Sequence, residues 1–154
     1  LKKWLQIVET YEKGSHIYHT TMPTDGLRQL RDTMVETRAI GWDTLKQAQI
    51  DLGNKVRRML EAKGFKSVAA PGFQAPCVVV SYTTDPDIQN GKKFIALGLQ
   101  TAAGVPLQVG ERDDFRTFRL GLFGLEKLLH VDRTVGHLKA ALDQIESAPV
   151  LKSA

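Results

Sequence analysis

Residues 115–124 read FRTFRLGLFG, and this stretch decides the fold that we predict for the chain. Its residues alternate with a period of two, which puts Phe118, Leu120 and Leu122 on the same side of a β-strand. An apolar side of this kind packs against a hydrophobic core. We therefore predict a strand over 115–122 with that side buried.

The opposite side of the same strand carries one charged residue, Arg119, between Thr117 and Gly121. Small neighbours leave room above a rigid strand for a ligand to approach the guanidinium group. This arrangement suits bidentate binding of a carboxylate, which is stronger than a neutral hydrogen bond. An ordinary surface arginine gives the same pattern, and alternation alone favours that interpretation over a binding site.

The segments around this strand predict alternating helices and strands. Apolar residues at helical spacing, with Thr24 or Asp25, Asp43 and Asp85 as N-caps, mark the helices. The helices are predicted over 2–13, from 24 or 25 to about 40, 43–63, 85–102 and from 132 to Ala148-Pro149, and the strands over 78–82, 105–109 and 115–122. So few strands do not make a doubly wound sheet. We predict an α+β fold, a small antiparallel or mixed sheet of about three strands covered by helices.

Composition narrows the class of protein. The chain has 154 residues, of which 42% are hydrophobic and 25% charged, which fits one domain, or one domain plus a remnant of another. No apolar run approaches the roughly 18 residues that a membrane helix needs. The formal charge of +4 is spread along the chain without an aromatic and basic pattern, so neither a membrane nor a nucleic acid is a predicted partner. The single cysteine, Cys77, predicts a core position in a reducing, cytoplasmic compartment.

A second candidate site is the loop SHIYHTTMPTDG at 15–26. Hydroxyl groups of Tyr18, Thr20 and Thr21 precede a predicted helix N-terminus, and such an arrangement can hold a phosphate. A polar connector with a capping residue fits the same sequence equally well. His16 and His19 have no third ligand nearby, so we predict no metal site.

Two motifs resemble the class V, fold type I family of pyridoxal-phosphate (PLP) aminotransferases, of the alanine–glyoxylate and serine–pyruvate kind. YHTTMP at 18–23 is similar to the family's Tyr–His–x–Thr–x–Pro motif, and FRLGLFG at 118–124 is similar to its Arg–Ile–Gly–Leu–Leu–Gly strand. LHVDR at 129–133 stands where the family's last helix begins near Asn–Val–Asp. The segments between them fall in the family's order, so the resemblance covers nearly the whole chain.

The resemblance implies a homodimer whose active sites are shared between subunits. Arg119 would then bind the α-carboxylate of the amino or keto acid, and Tyr18 and Thr21 would reach the PLP phosphate of the partner subunit. Residues 1–40 would be the tail of the large PLP-binding domain with a linking helix, and 41–154 the small C-terminal domain. The predicted partners are a second subunit, a missing N-terminal large domain and a small amino or keto acid.

One departure from the family is important. The motifs with the cofactor lysine, the stacking aromatic residue and the aspartate for the pyridine nitrogen do not occur in these 154 residues. The chain also begins with Leu1 instead of Met, which points to a fragment. Because no lysine is set to bind PLP covalently, we predict no catalytic residue in this chain. We expect it to be inactive alone and to bind PLP weakly or not at all.

The resemblance predicts an aminotransferase that moves an amino group from a small amino acid such as alanine or serine to a 2-oxo acid such as glyoxylate or pyruvate. Two alternatives stay open. One is a stand-alone module that binds carboxylates or amino acids through the same side of the strand as Arg119. The other is a dimerisation module, which predicts exposed apolar side chains in the first forty residues. Those side chains are Trp4, Leu27, Leu30 and Met34.

Overall fold

The computed structural model describes residues 1–147, in which ten helices and strands follow one another along the chain. In order, they are α1 (Lys2–Glu12), α2 (Thr24–Ile40), α3 (Trp42–Ala62), β1 (Val78–Tyr82), α4 (Pro86–Gln89), α5 (Lys92–Ala96), β2 (Ala102–Ala103), β3 (Thr117–Gly121), α6 (Leu125–Leu129) and α7 (Val131–Ser147). The chain divides into two compact units, Leu1–Ala39 and the part from Ile40 onward. The predicted end of the last helix at Ala148-Pro149 lies outside the described residues.

The first unit consists of α1, the loop after it and most of α2. Both helices were predicted from apolar spacing, but none of their residues is buried. The exposed fractions are 61% for Trp4, 47% for Leu27, 56% for Leu30 and 55% for Met34. The apolar exposure that the dimerisation alternative predicts is therefore present in this unit.

The second unit is built on a three-stranded antiparallel sheet in the order β1-β3-β2. This confirms the predicted α+β fold with a small antiparallel sheet. The prediction of a strand over 105–109 is wrong, because the edge strand is the two-residue β2 at Ala102–Ala103. Pro106 lacks an amide hydrogen and cannot donate to a neighbouring strand, so pairing with β3 ends before it.

The core lies between one side of this sheet and the two longest helices of the second unit. Phe118 is fully buried, and Leu120 and Leu122 are about as inaccessible, which confirms the predicted apolar side of β3. The ring of Phe118 contacts those of Phe65 and Phe94 at centroid distances of 5.3 and 5.8 Å. The helices contribute leucines and other aliphatic residues, namely Leu52, Val56 and Leu60 from α3 and Leu138, Leu142 and Ile145 from α7.

A second stripe of α3, which the sequence did not indicate, holds the segment before β1. Gln49 Nε2 donates to the carbonyl of Pro76 at 3.0 Å, and Arg57 Nη2 donates to the carbonyl of Ala75. Between them is Gly53, where a Cβ would lie 2.5 Å from the Pro76 oxygen. Burial lowers the pKa of Arg57. This stripe fixes where β1 begins relative to the helix.

The predicted helix over 85–102 has the right beginning and the wrong end. Two short helices, α4 and α5, occupy its first part, and the chain turns between them at Gly91, whose φ is 81°. Glycine adopts this left-handed conformation at little cost. The conformation interrupts the series of helical hydrogen bonds, so the helix ends there. Residues after α5 then leave the helical path and reach β2.

Two further differences concern helix ends. Gly41, with φ of 102°, is the N-cap of α3, and Asp43 lies in the first turn instead of capping it. The short helix α6 was not predicted at all. It precedes α7, which begins at Val131, one residue before the predicted start.

Asp85 is the N-cap that the sequence predicted for α4. Its Oδ1 accepts hydrogen bonds from the amides of Asp87 at 2.8 Å and Ile88 at 3.2 Å, and its Oδ2 pairs with Lys93. Burial disfavours the carboxylate, but Lys93 and the two amides outweigh burial and hold the pKa of Asp85 below its ordinary value. The carboxylate therefore stabilises the fold above the pKa that Asp85 has when unfolded, and this contribution is lost as the pH falls through the folded pKa.

We expect Asp85→Ala to lower the free energy of unfolding by about 1 kcal/mol at neutral pH, because two amides lose their acceptor. Urea unfolding of both proteins measures the difference. The gap should shrink between neutral pH and a pH below the folded pKa of Asp85, where the carboxyl group is protonated in both states. Asp85→Asn is the matched control, since its side-chain oxygen still caps the helix. An equal gap at both pH values would contradict this account.

Candidate functional site

Arg119 lies at the centre of the sheet. It is a residue of the middle strand β3, and its register partners are Val80 of β1 and Ala102 of β2. Because Phe118 and Leu120 point into the core, the half-buried side chain of Arg119 stands on the other side of the sheet. A strand on each edge thus holds the backbone beneath this side chain.

The guanidinium group of Arg119 is held by a hydrogen bond on its Nε side. Arg119 Nε donates to the carbonyl oxygen of Ala103 at 2.9 Å. No aspartate or glutamate within residues 1–147 forms an ion pair with Arg119. The edge formed by the two Nη atoms is therefore free to donate two parallel hydrogen bonds to a carboxylate.

The two neighbours of Arg119 on this side of β3 differ from each other. The sequence predicted open space at both, but Thr117 is only 3% exposed. The chain at Gly104 covers it so closely that a Cβ there would lie 1.8 Å from the Thr117 carbonyl oxygen. Gly121, in contrast, is exposed. Of the two neighbours, Gly121 is therefore the more accessible one.

Phe123 is a residue of this region that sequence reasoning missed. A Cβ on Gly121 would lie 2.8 Å from Phe123 Cε2, so the ring covers the backbone there, and 58% of Phe123 is exposed. This exposed aromatic ring on the Gly121 side of Arg119 offers apolar contact to a small ligand. The signal in the sequence was the break in alternation after Leu122, where Phe123 follows instead of a polar residue.

In the first unit, the structure brings the hydroxyl groups of Tyr18 and Thr21 together. Their oxygen atoms are 3.3 Å apart, and both side chains are exposed. The ring of Trp4 meets His19 edge to face at 5.6 Å, which holds the loop against α1. One hydroxyl hydrogen is used within this pair, which leaves the other to donate to an anion.

The N-terminus of α2 adds backbone donors next to this hydroxyl pair. The amide of Thr24 donates to Met22 and that of Leu27 begins the helical series, while helix geometry leaves the amides of Asp25 and Gly26 without carbonyl partners. Such amides attract an anion. The Asp25 carboxylate in the same turn opposes one, and Arg28 lies 3.9 Å from it.

Metal sites, reactive cysteines and membrane helices each need particular residues in a particular setting. Within residues 1–147, no group of three His, Cys, Asp or Glu side chains is placed to hold a metal ion. Cys77 is half-buried beside β1 and does not belong to the fully buried core. No helix in that range has both the length and the apolar character needed to cross a membrane.

Neither a family model nor a curated protein matches this chain. The roles that the resemblance gives to Arg119, Tyr18 and Thr21 therefore stay predictions. What the side chains at these two places can bind follows from their geometry and does not depend on a matching family. The guanidinium group of Arg119 can bind a carboxylate, and the loop before α2 offers hydrogen-bond donors to a small anion.

Proposed function

We propose that this chain is the C-terminal part of a PLP-dependent class V aminotransferase. The enzyme moves an amino group between a small amino acid of the alanine or serine type and a 2-oxo acid of the glyoxylate or pyruvate type. The observation that carries the proposal is the guanidinium of Arg119, held at Nε by the Ala103 carbonyl with its other edge free. The isolated chain is proposed to be inactive.

A single arginine serves both halves of such a reaction. The amino acid and the 2-oxo acid each carry a carboxylate bonded directly to the carbon that reacts. Two parallel hydrogen bonds from Arg119 fix the direction of that carboxylate and hence the position of the neighbouring carbon. The tether to Ala103 orients the arginine before the substrate arrives, so less side-chain entropy is lost on binding.

The proposed cofactor is PLP, which supplies an electron sink for the bonds of the amino carbon. The hydroxyl pair of Tyr18 and Thr21, together with the free amides at the start of α2, fits a phosphate group. The carboxylate of Asp25 is the one feature that weakens the fit. The lysine that binds PLP covalently would belong to a large domain outside these 154 residues.

The proposed partners are that large domain and a second subunit. Their support is the exposed apolar surface of α1 and α2, where Trp4, Leu30 and Met34 are each more than half exposed. Exposed apolar side chains on consecutive helices are typical of a surface that another chain or domain covers.

A second candidate function is a binding or dimerisation module without catalysis. The free edge of Arg119 needs no cofactor to bind an acid, and the apolar helices of the first unit would serve a dimer equally well. Sequencing the gene upstream of the codon for Leu1 separates the candidates. A reading frame with a PLP-lysine motif supports the aminotransferase, and a start codon immediately before Leu1 supports the module.

The carboxylate role is tested by titrating the 154-residue chain with pyruvate and following it by nuclear magnetic resonance. We expect the Arg119 Nε–H and the amides of Ala103 and Gly121 to shift and to saturate, with a Kd on the order of 10 mM for this single open ion pair. Acetone is the matched control, because it replaces the carboxylate of pyruvate by a methyl group. Equal responses to pyruvate and acetone would remove the basis of the proposal.

A further inference from the structure

A cavity of about 390 Å³ lies in the second unit, where the end of β3 meets α6 and α7. Its apolar wall includes Leu120, Leu122 and Leu138. The volume falls within the range of about 300–1,000 Å³ that small-molecule sites occupy in proteins. Arg119 is not among the residues that line it, although Gly121, its neighbour on β3, borders both places.

The polar part of the cavity wall carries more positive than negative charge. Arg133 and Glu126 pair with each other, which cancels their charges. Lys127 donates to the carbonyl of Phe123 at 3.1 Å, and no carboxylate among the described residues forms an ion pair with it. The imidazole ring of His137 also lines the cavity. The wall therefore presents one uncompensated ammonium group.

The hydroxyl oxygen of Thr101 lies behind the cavity wall, where a Cβ on Gly91 would be 3.0 Å from it. Thr101 lines the cavity, and its Oγ1 is shielded from water without a hydrogen-bond partner in the described part of the chain. An unsatisfied buried hydroxyl costs free energy, and each such group in a folded protein needs an explanation. Because Oγ1 has no surface exposed to the cavity, a ligand bound there does not contact it, and this hydroxyl group is not part of the proposed site.

We propose that this cavity binds a small aliphatic monocarboxylate, with its hydrocarbon part against Leu120, Leu122 and Leu138 and its carboxylate at Lys127. A monoanion matches the single uncompensated positive charge, whereas a phosphate dianion would keep unpaired negative charge beside leucines. A neutral ligand would leave the ammonium group without a partner. Neither the aminotransferase nor the module proposed above requires this site.

The ligand class is tested with three probes in titrations followed by nuclear magnetic resonance. Hexanoate carries both features, acetate only the carboxylate and 1-hexanol only the hydrocarbon part. We expect hexanoate to bind at least about tenfold more tightly than acetate, because four more CH₂ groups leave water. Hexanoate should also bind about two- to fivefold more tightly than 1-hexanol, because a partly exposed ion pair contributes little. The largest amide shifts should occur at Thr101, Leu122 and His137.

Three substitutions locate the site. Lys127→Gln should weaken hexanoate by about two- to fivefold and leave 1-hexanol unchanged. Lys139→Gln is the matched control, because Lys139 is an exposed residue of α7 that pairs with Asp143 outside the cavity wall. Thr134→Met, which adds volume to the half-buried wall, should abolish binding of both probes. Arg119→Gln should leave hexanoate binding at the cavity unchanged, even if the pyruvate site is lost.

Several results would overturn the proposal. Equal affinities for hexanoate and acetate would show that the leucines take no part in binding. The same affinity in Lys127→Gln and Lys139→Gln would show that the ammonium group takes no part. Shifts centred on Arg119 and Ala103 would place the ligand at the sheet and not in the cavity.

Discussion

Replacing Gly104 with alanine is expected to lower the free energy of unfolding by about 3 kcal/mol. The new Cβ would lie 1.8 Å from the carbonyl oxygen and 2.4 Å from the carbonyl carbon of Thr117. Both are backbone atoms of the central strand, and they cannot move without separating β3 from a neighbour. Because β2 has only two residues, Ala102 and Ala103, a small displacement of Gly104 removes the whole edge strand.

Urea unfolding followed by circular dichroism measures this loss, and Gly136→Ala is the matched control. Gly136 lies in α7 without a positive φ, and a Cβ added there would meet no atom within 4 Å. The same substitution there should stabilise the protein by about 0.5–1 kcal/mol, since alanine favours a helix. Two variants that change stability in the same direction would contradict the close contact at Gly104.

The effect of Gly104→Ala should extend to the carboxylate site. The residue before it, Ala103, supplies the carbonyl that holds Arg119 Nε. Moving β2 away from β3 would release the guanidinium, and the free arginine would lose side-chain entropy each time it binds an acid. If Arg119 binds substrate as proposed, Gly104 affects function as well as folding.

Local patterns in the sequence predicted the parts of the fold whose neighbours are also local. β1 was predicted residue for residue from its β-branched run, and the apolar side of β3 from alternation. The long helix α3 was predicted because its leucines repeat at helical spacing, although its cap proved to be Gly41. In each case one side of the element is buried, and the apolar residues on that side form a pattern that can be recognised within a few residues of sequence.

The elements that were missed depend on distant contacts. Alanine has a low preference for strands, so nothing in Ala102–Ala103 marks β2, which exists because β3 offers it a free edge. The apolar residues after Gly91 continue a helical pattern, but the backbone at that glycine takes a conformation that the pattern does not reveal. A short edge strand and a broken helix are both results of tertiary packing.

The same distinction applies to the candidate site. Alternation gave the side of the sheet on which Arg119 stands. The tether by the Ala103 carbonyl has no signature in the sequence, because every residue carries a carbonyl group. The burial of Thr117 under Gly104 was likewise invisible, since it depends on two segments of chain that meet only in the folded state.

The largest functional effect is expected from Arg119→Ala in an enzyme that joins this chain to a cofactor-lysine domain. Loss of the charged pair with the substrate carboxylate should cost about 2–4 kcal/mol in kcat/KM, roughly 30- to 800-fold. KM should rise for the amino acid and for the 2-oxo acid alike, since both present the carboxylate. Steady-state kinetics with each substrate varied in turn measures this.

Two further variants separate charge from geometry. Arg119→Lys keeps the positive charge but loses the fork of the guanidinium and the bond from Nε to Ala103, so it should recover only part of the activity. Arg58→Ala removes an exposed arginine of α3 and should leave both KM values unchanged. If the kinetics of Arg119→Ala equal those of Arg58→Ala, the arginine on the sheet does not bind substrate. Full recovery in Arg119→Lys would instead mean that charge alone is sufficient and that the tether to the edge strand has no role in catalysis.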